Sequence, residues 1–230
     1  MDLKIGEIQS CSLCLLVWSK FLISEVVAYF IMYNVALLRE VIWTNEELFK
    51  PLLSNHAFIM VVTMIVINGH GMVIFRLFPS CRTQIIKYIH AGIHTVTLIG
   101  SIYAYCLINR SKSVMGLFQS TTQKFHISFG LMTAVLFIFQ WLAGVFVYLY
   151  LYSNQKRRKL FASCHNFIGV CVLQISIVTS CLQIQEMSYK IIIFEEDYAE
   201  NAMVLMVIYG IIINVIVLNP HLEWRLVGPL

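Results

Sequence analysis

The chain has 230 residues, of which 59% are hydrophobic and only 12% charged, and its mean hydropathy is +0.79. Soluble domains carry about 25% charged residues, so the composition excludes an ordinary soluble domain and describes a multi-pass protein whose partner is membrane lipid. The net charge of +4 is dispersed, and no basic stripe with interleaved aromatics points to nucleic acid.

The opening MDLKIGEIQS mixes acids with one lysine, and the apolar run behind it has no small-residue cleavage site. The first hydrophobic segment is therefore expected to remain as an anchor. Six apolar segments each approach the ~20 residues that span hydrocarbon. The first runs from about Cys11 to Leu38, interrupted by Lys20 and Glu25. The others cover His56–Phe75, Ile89–Ile108, His126–Tyr150, Ala162–Ile184 and Ala202–Leu218. Short connections predict antiparallel neighbours, and no linker or low-complexity stretch divides the chain. The expected fold is all-α: one domain over residues 1–230, built as a bundle of six transmembrane helices.

Seven cysteines lie mostly in or beside the apolar runs, an odd set that reads as small buried hydrophobes rather than a disulfide framework. The pair Cys11 and Cys14 lacks the second ligand pair that zinc needs. Ten of the sixteen Lys and Arg residues fall on one side of the bundle, among them Arg76, Arg82, Lys87 and the run Lys156–Lys159. The positive-inside rule makes that side, with both termini, cytosolic. A sequon at Asn109-Arg110-Ser111 and the acidic stretch Glu195–Glu200 then lie on the opposite side.

His56, His90, His126 and His165 open the second, third, fourth and fifth segments. Successive helices alternate in direction, so His56 and His126 fall toward the non-cytosolic face and His90 and His165 toward the cytosolic face. Two histidine pairs stacked across one bilayer, each drawn from two helices, are what bis-imidazole ligation of two b-type haems requires. Taken singly, each histidine reads more simply as hydrogen-bonded to a carbonyl. Four at matching helix starts weigh against that. His94 shares a helix face with His90 and reads as either the ligand in its place or a hydrogen-bond partner. His70 reads as a core histidine or an altered substrate-site residue, and His221, beyond Asn219-Pro220, as solvent-facing.

Over roughly His56 to Glu186 these residues resemble the cytochrome b561 family of transmembrane ascorbate-dependent reductases. The resemblance lies in His56-Ala-Phe-Ile-Met, in Asn68-Gly69 followed by Val73-Ile74-Phe75-Arg76-Leu77-Phe78, and in Lys87-x-x-His90-x-x-x-His94 with Gly100. It continues through Phe125-His126 with Gly130, Phe139-Gln140-Trp141-Leu142-x-Gly144, His165-x-Phe167-x-Gly169 and Gln185-Glu186. The histidine intervals of 34, 36 and 39 residues are similar to the family's. Ala57 stands where the family has proline, His70 where it often has an acid or amide, and Lys112–Phe125 lacks its loop signature near the acceptor site.

The resemblance implies that helices 2–5 form a four-helix di-haem core over about residues 56–186. His56 and His126 would be axial ligands of one haem iron, and His90, in preference to His94, and His165 those of the other. It also implies a cytosolic ascorbate site at Arg76 and Lys87, joined by Lys159 or Arg158 from a run that the charge rule alone reads as a topology signal. Electrons would pass from ascorbate to monodehydroascorbate or a ferric chelate on the other face. The membrane would be a vesicle, endosome, lysosome or plasma membrane, and the segments resemble the family's homodimers in composition. Rival readings are a haem-free structural subunit, a proton-coupled transporter using Lys20 and Glu25, and a di-iron oxygenase using His90 and His94. The last lacks the further His-rich clusters that such enzymes need.

Overall fold

A computed structural model describes residues 2–43, 49–79, 81–115, 120–150, 155–190 and 196–218. Helices α1 (Asp2–Trp43), α2 (Phe49–Met60), α3 (Asn68–Leu77), α4 (Thr83–Met115), α5 (Thr121–Val145), α6 (Gln155–Lys190) and α7 (Glu196–Val217) account for nearly all of them. A π-helical stretch, Val61–Ile67, joins α2 to α3, and a second, Phe146–Tyr150, extends α5. No strand occurs among the described residues. Six segments are long and apolar enough to cross a membrane: Cys14–Glu40, Leu52–Leu77, Thr83–Arg110, Thr121–Leu149, Leu160–Glu186 and Tyr198–Val217. The protein is an all-α integral membrane protein with six spans.

The helix boundaries have local causes. Ser120 holds extended backbone angles and accepts a hydrogen bond from the Gln123 N–H at 3.1 Å, capping α5. Helix α3 stops at Leu77 because Phe78 precedes Pro79, which disfavours helical angles at the residue before it. Each helix carrying a singled-out histidine begins earlier than hydropathy alone suggests, since polar flanks such as Gln155–Lys159 are helical too. His56, His90, His126 and His165 consequently sit one to three turns inside their helices rather than at their first residues.

The second span (α2 to α3) contacts α4, α4 contacts α5, α5 packs on α6, and α6 returns to the second span, closing a ring of four. Helices α1 and α7 pack on each other and flank this ring through α2, α3 and α6. The main buried cluster lies at that seam and includes Ile31, Ile65, Val73, Leu173, Met206, Tyr209 and Ile213. Large side chains on the opposite faces, among them Leu131 and Phe139, point outward. Hydrocarbon tolerates this distribution because it offers no hydrophobic drive to bury them. Cys14, Cys81, Cys106, Cys164, Cys171 and Cys181 are free thiols and none is fully buried, so the expectation of buried cysteines does not hold for them.

With no water in hydrocarbon, hydroxyls must find partners inside the protein. Thr63, Thr95, Ser101, Thr133, Ser176 and Thr179 each donate to the carbonyl four residues back in their own helix. Between helices, the fully buried Tyr209 of α7 donates to the Val66 carbonyl at 3.0 Å, inside the first π-helical stretch. Arg39 of α1 donates to Asn55 Oδ1 of α2 at 2.8 Å. Tyr209→Phe removes one interhelical bond while keeping the ring, and is expected to cost roughly 1 kcal/mol. Thermal or denaturant unfolding in detergent measures this, against a Tyr103→Phe control on an outward-facing ring.

Candidate functional site

The ring of four helices carries histidines toward both of its ends. At one end, His56 of α2 faces His126 of α5, with ring centroids 6.5 Å apart and planes at 81°. His56 Nδ1 lies 2.9 Å from the Ala104 carbonyl, late in α4, and His126 Nδ1 lies 2.9 Å from the Thr179 carbonyl, late in α6. A carbonyl can only accept, so in each ring Nδ1 carries the proton and Nε2 keeps its lone pair.

At the other end, His90 of α4 faces His165 of α6 at 6.1 Å, with planes at 55°. His90 Nδ1 donates to the Gly71 carbonyl of α3 at 2.8 Å, which leaves Nε2 free as before. His165 is held differently. Its backbone carbonyl accepts from Gln140 Nε2 of α5, its ring is flanked by Tyr148 and Phe161, and its Nδ1 has no hydrogen-bond partner among the described residues. His94 packs 4.4 Å from the His90 ring and 5.9 Å from Phe137, and its Nδ1 is likewise buried without a partner.

Two metal–imidazole bonds of about 2.0 Å each, added to the radii of two five-membered rings, span roughly 6 Å between centroids. Both facing pairs have that separation. In three of the four rings, a bond from one nitrogen to a carbonyl fixes the tautomer and orientation, as a hydrogen bond on the non-ligating nitrogen does for metal-bound histidine. Counted along the second span, His56 and Gly71 mark the two levels, fifteen residues or roughly 20 Å apart. The donor set, one neutral imidazole from each side, suits the axial positions of a flat iron macrocycle. No group of three or more His, Cys, Asp or Glu side chains placed to hold a bare metal ion occurs among the described residues.

The His90–His165 end opens into a cavity of about 970 Å³, counting its mouth. Its walls are mainly apolar and aromatic, with Phe75, Phe137, Trp141 and Tyr148 alongside the histidines. Trp141 is fixed by donating to Thr95 Oγ1 of α4 at 3.1 Å. Lys87 is the charged residue of the lining; it is only 7% exposed, and its Nζ lies 5.9 Å from the centre of the Tyr148 ring. One turn separates it from His90.

The sequence-predicted positions divide accordingly. His56 meets His126, His90 meets His165, and Lys87 shares a cavity with the second pair. Arg76 is equally buried, but its Nη2 donates to the Val217 carbonyl at 2.7 Å, at the C-terminal end of α7, and it is Val217 rather than Arg76 that lines the cavity. The side chains of Arg158 and Lys159 lie outside the described residues, as does His221. His70 is not a plain core residue: it pairs with Glu25 of α1. Sequence reasoning missed the acceptor carbonyls of Gly71, Ala104 and Thr179, which carry no side-chain signal. It quoted Gln140 and Trp141 within a motif without giving either a role.

Comparison with known proteins matches residues 55–190 to the profile of eukaryotic cytochrome b561. The lysosomal membrane ascorbate-dependent ferrireductase of Rattus norvegicus is 28% identical over 190 residues, covering 76% of this chain and 71% of that protein. The transmembrane ascorbate-dependent reductase of Homo sapiens is 23% identical, over 63% of this chain and 55% of that one. The plasma membrane ascorbate-dependent reductase of Xenopus laevis is 26% identical, over 57% and 46%.

Two glycines test how tightly the site is packed. A Cβ on Gly71 would lie 2.7 Å from the His94 ring, whereas one on Gly92 would meet nothing within 4 Å. Gly71→Ala is expected to destabilise by about 1–3 kcal/mol through overpacking. Gly92→Ala is expected to stabilise, by up to about 1 kcal/mol of helix propensity. Thermal unfolding of the two variants, read side by side, gives the opposite signs.

Proposed function

The chain belongs to the eukaryotic cytochrome b561 family, and from that premise we propose that it carries single electrons across a membrane through two b-type haems, from cytosolic ascorbate to an acceptor on the opposite face. Membership of the family implies haem b, and the relatives named above are oxidoreductases that depend on ascorbate. In this reading His56 and His126 would hold the haem at one end, and His90 and His165 would hold the haem at the other. The observation that carries it is the pair of ring separations, 6.5 and 6.1 Å, at two levels of one bundle. Bound haem supplies a one-electron carrier at each level; the protein supplies orientation and a dry, shaped surround.

His90 is preferred to His94 because its Nδ1 is already spent on the Gly71 carbonyl, presenting Nε2. The excess of Lys and Arg puts the His90–His165 end, and both termini, on the cytosolic side. Lys87 then stands where a monoanionic donor would enter, and its charge, held in a low-dielectric wall, draws such a donor to the cavity mouth. Arg76 supports the same wall by tying down Val217. Electrons leave at the His56–His126 end to monodehydroascorbate or a ferric chelate. The relatives' names include lysosomal and plasma membranes, and either compartment is compatible with this arrangement.

The visible spectrum of the purified protein from haem-replete cells tests the reading. A Soret band and α/β bands that sharpen on adding ascorbate are expected, with two haems per chain by pyridine haemochrome assay. His165→Ala is expected to lose about half of the haem and His94→Ala to retain it; equal losses would move the ligand assignment to His94. Lys87→Met is expected to keep its haem but to raise the ascorbate KM about tenfold or more, the equivalent of one charge-assisted contact. Stopped-flow reduction over a range of ascorbate concentrations measures that shift.

A further inference from the structure

Two ionisable side chains stand outside the machinery described so far. Glu25 lies near the middle of the Cys14–Glu40 span, and His70 lies in the second half of Leu52–Leu77. His70 Nε2 and Glu25 Oε1 are 2.5 Å apart. The contact joins α1 to the second span through a side-chain hydrogen bond. Ionisable groups at membrane depth are costly and are kept where they pair and act.

The surroundings fix what this pair can sense. Phe21 packs its ring edge-on to His70 at 5.9 Å. From α7, the buried Tyr209 lies within electrostatic reach of Glu25, while its hydroxyl donates to the Val66 carbonyl. From α4, His90 and His94 stand against Gly71, the residue directly after His70: the Gly71 carbonyl accepts from His90, and its Cα faces the His94 ring. On the same helices, α3 also carries Arg76, which donates to Val217, and α1 also carries Asp2, Lys4, Glu7, Lys20, Arg39 and Glu40. In α2, His56 belongs to the opposite end. Neither partner is sealed: the Glu25 side chain is 39% exposed and that of His70 27%.

We propose that Glu25 and His70 form an intramembrane proton-binding site whose occupancy is linked to the arrival of an electron at the His90–His165 end. The inference rests on the electron-carrying reading above. The donor delivers one electron to that end, adding one negative charge. The Glu25 carboxylate, paired with His70, takes one proton from water and forms its O–H bond, adding one positive charge, so the step leaves the local charge unchanged. Inside a low-dielectric bundle such compensation acts over the short distance between His70 and the Gly71–His90 bond. Linkage is reciprocal: bound proton favours the reduced state, and reduction favours bound proton. Raising the pH removes the proton and so lowers the midpoint potential.

Spectroelectrochemical titration of the purified, haem-loaded protein across about pH 5.5–8 tests this. One of the two redox components is expected to fall with rising pH, by up to about 59 mV for each tenfold drop in proton concentration, the one-electron equivalent of a tenfold equilibrium change. Glu25→Gln and His70→Asn are expected to flatten that dependence with the haem content intact, and Glu25→Asp to retain it. Where Glu25→Gln folds poorly, His70→Asn carries the same test. A pH-independent wild type, or an unchanged slope in both variants, overturns the proposal. Infrared pH-difference spectra of the same samples look for a carboxyl band that titrates in the wild type and is missing in Glu25→Gln. This readout needs no haem: a colourless protein defeats the electron-carrying reading and the linkage, while the band still reports whether the pair binds a proton.

Discussion

In hydrocarbon an imidazole N–H without an acceptor costs roughly 2–7 kcal/mol, and the arrangement of the four-helix ring follows from how that need is met. His56 donates to Ala104, His126 to Thr179 and His90 to Gly71. In each case a histidine early in one span reaches a carbonyl late in another. Only antiparallel helices in one relative register can satisfy all three bonds together. The same bonds hold rings of neighbouring helices at one level, so satisfying the N–H groups accompanies the close approach of His56 to His126 and of His90 to His165.

The acceptors are small residues: a glycine, an alanine buried to 0% exposure, and a threonine whose hydroxyl folds back on Ile175. A helical carbonyl already accepts one bond from its own helix and has a second lone pair to offer, but a ring can reach it only where no bulky side chain stands beside it. Gly71 serves twice in this respect, because its missing Cβ also leaves room for His94. Gln140, donating to the His165 carbonyl, ties α5 to α6 at the member of the two facing pairs whose Nδ1 has no partner among the described residues.

Charged groups inside the bundle take three forms. Arg76 reaches a helix-end carbonyl and so completes α7. Lys87 is held in the wall of an apolar cavity near an aromatic ring. Glu25 and His70 hydrogen-bond to each other across two helices. Burial is similar for Arg76 and Lys87, at 7% exposed each, so what separates their proposed roles is position: Lys87 lines the cavity beside the second histidine pair, whereas Arg76 donates to the end of α7.

By itself, the sequence determined the six spans, the all-α class and the pairing of histidines, because these depend on local hydropathy and on the alternation of helix direction. His56 with His126 and His90 with His165 are both legible from that alternation, and so is the position of Lys87 one turn before His90. Other features were decided by tertiary structure. Arg76 meets Val217 across 141 residues, Glu25 meets His70 rather than Lys20, and the histidine N–H groups choose three carbonyls that no residue type announces. Helix rotation and register set those contacts. They emerge only when small residues let neighbouring backbones approach, and periodicity within one segment carries no information about where the next will touch it.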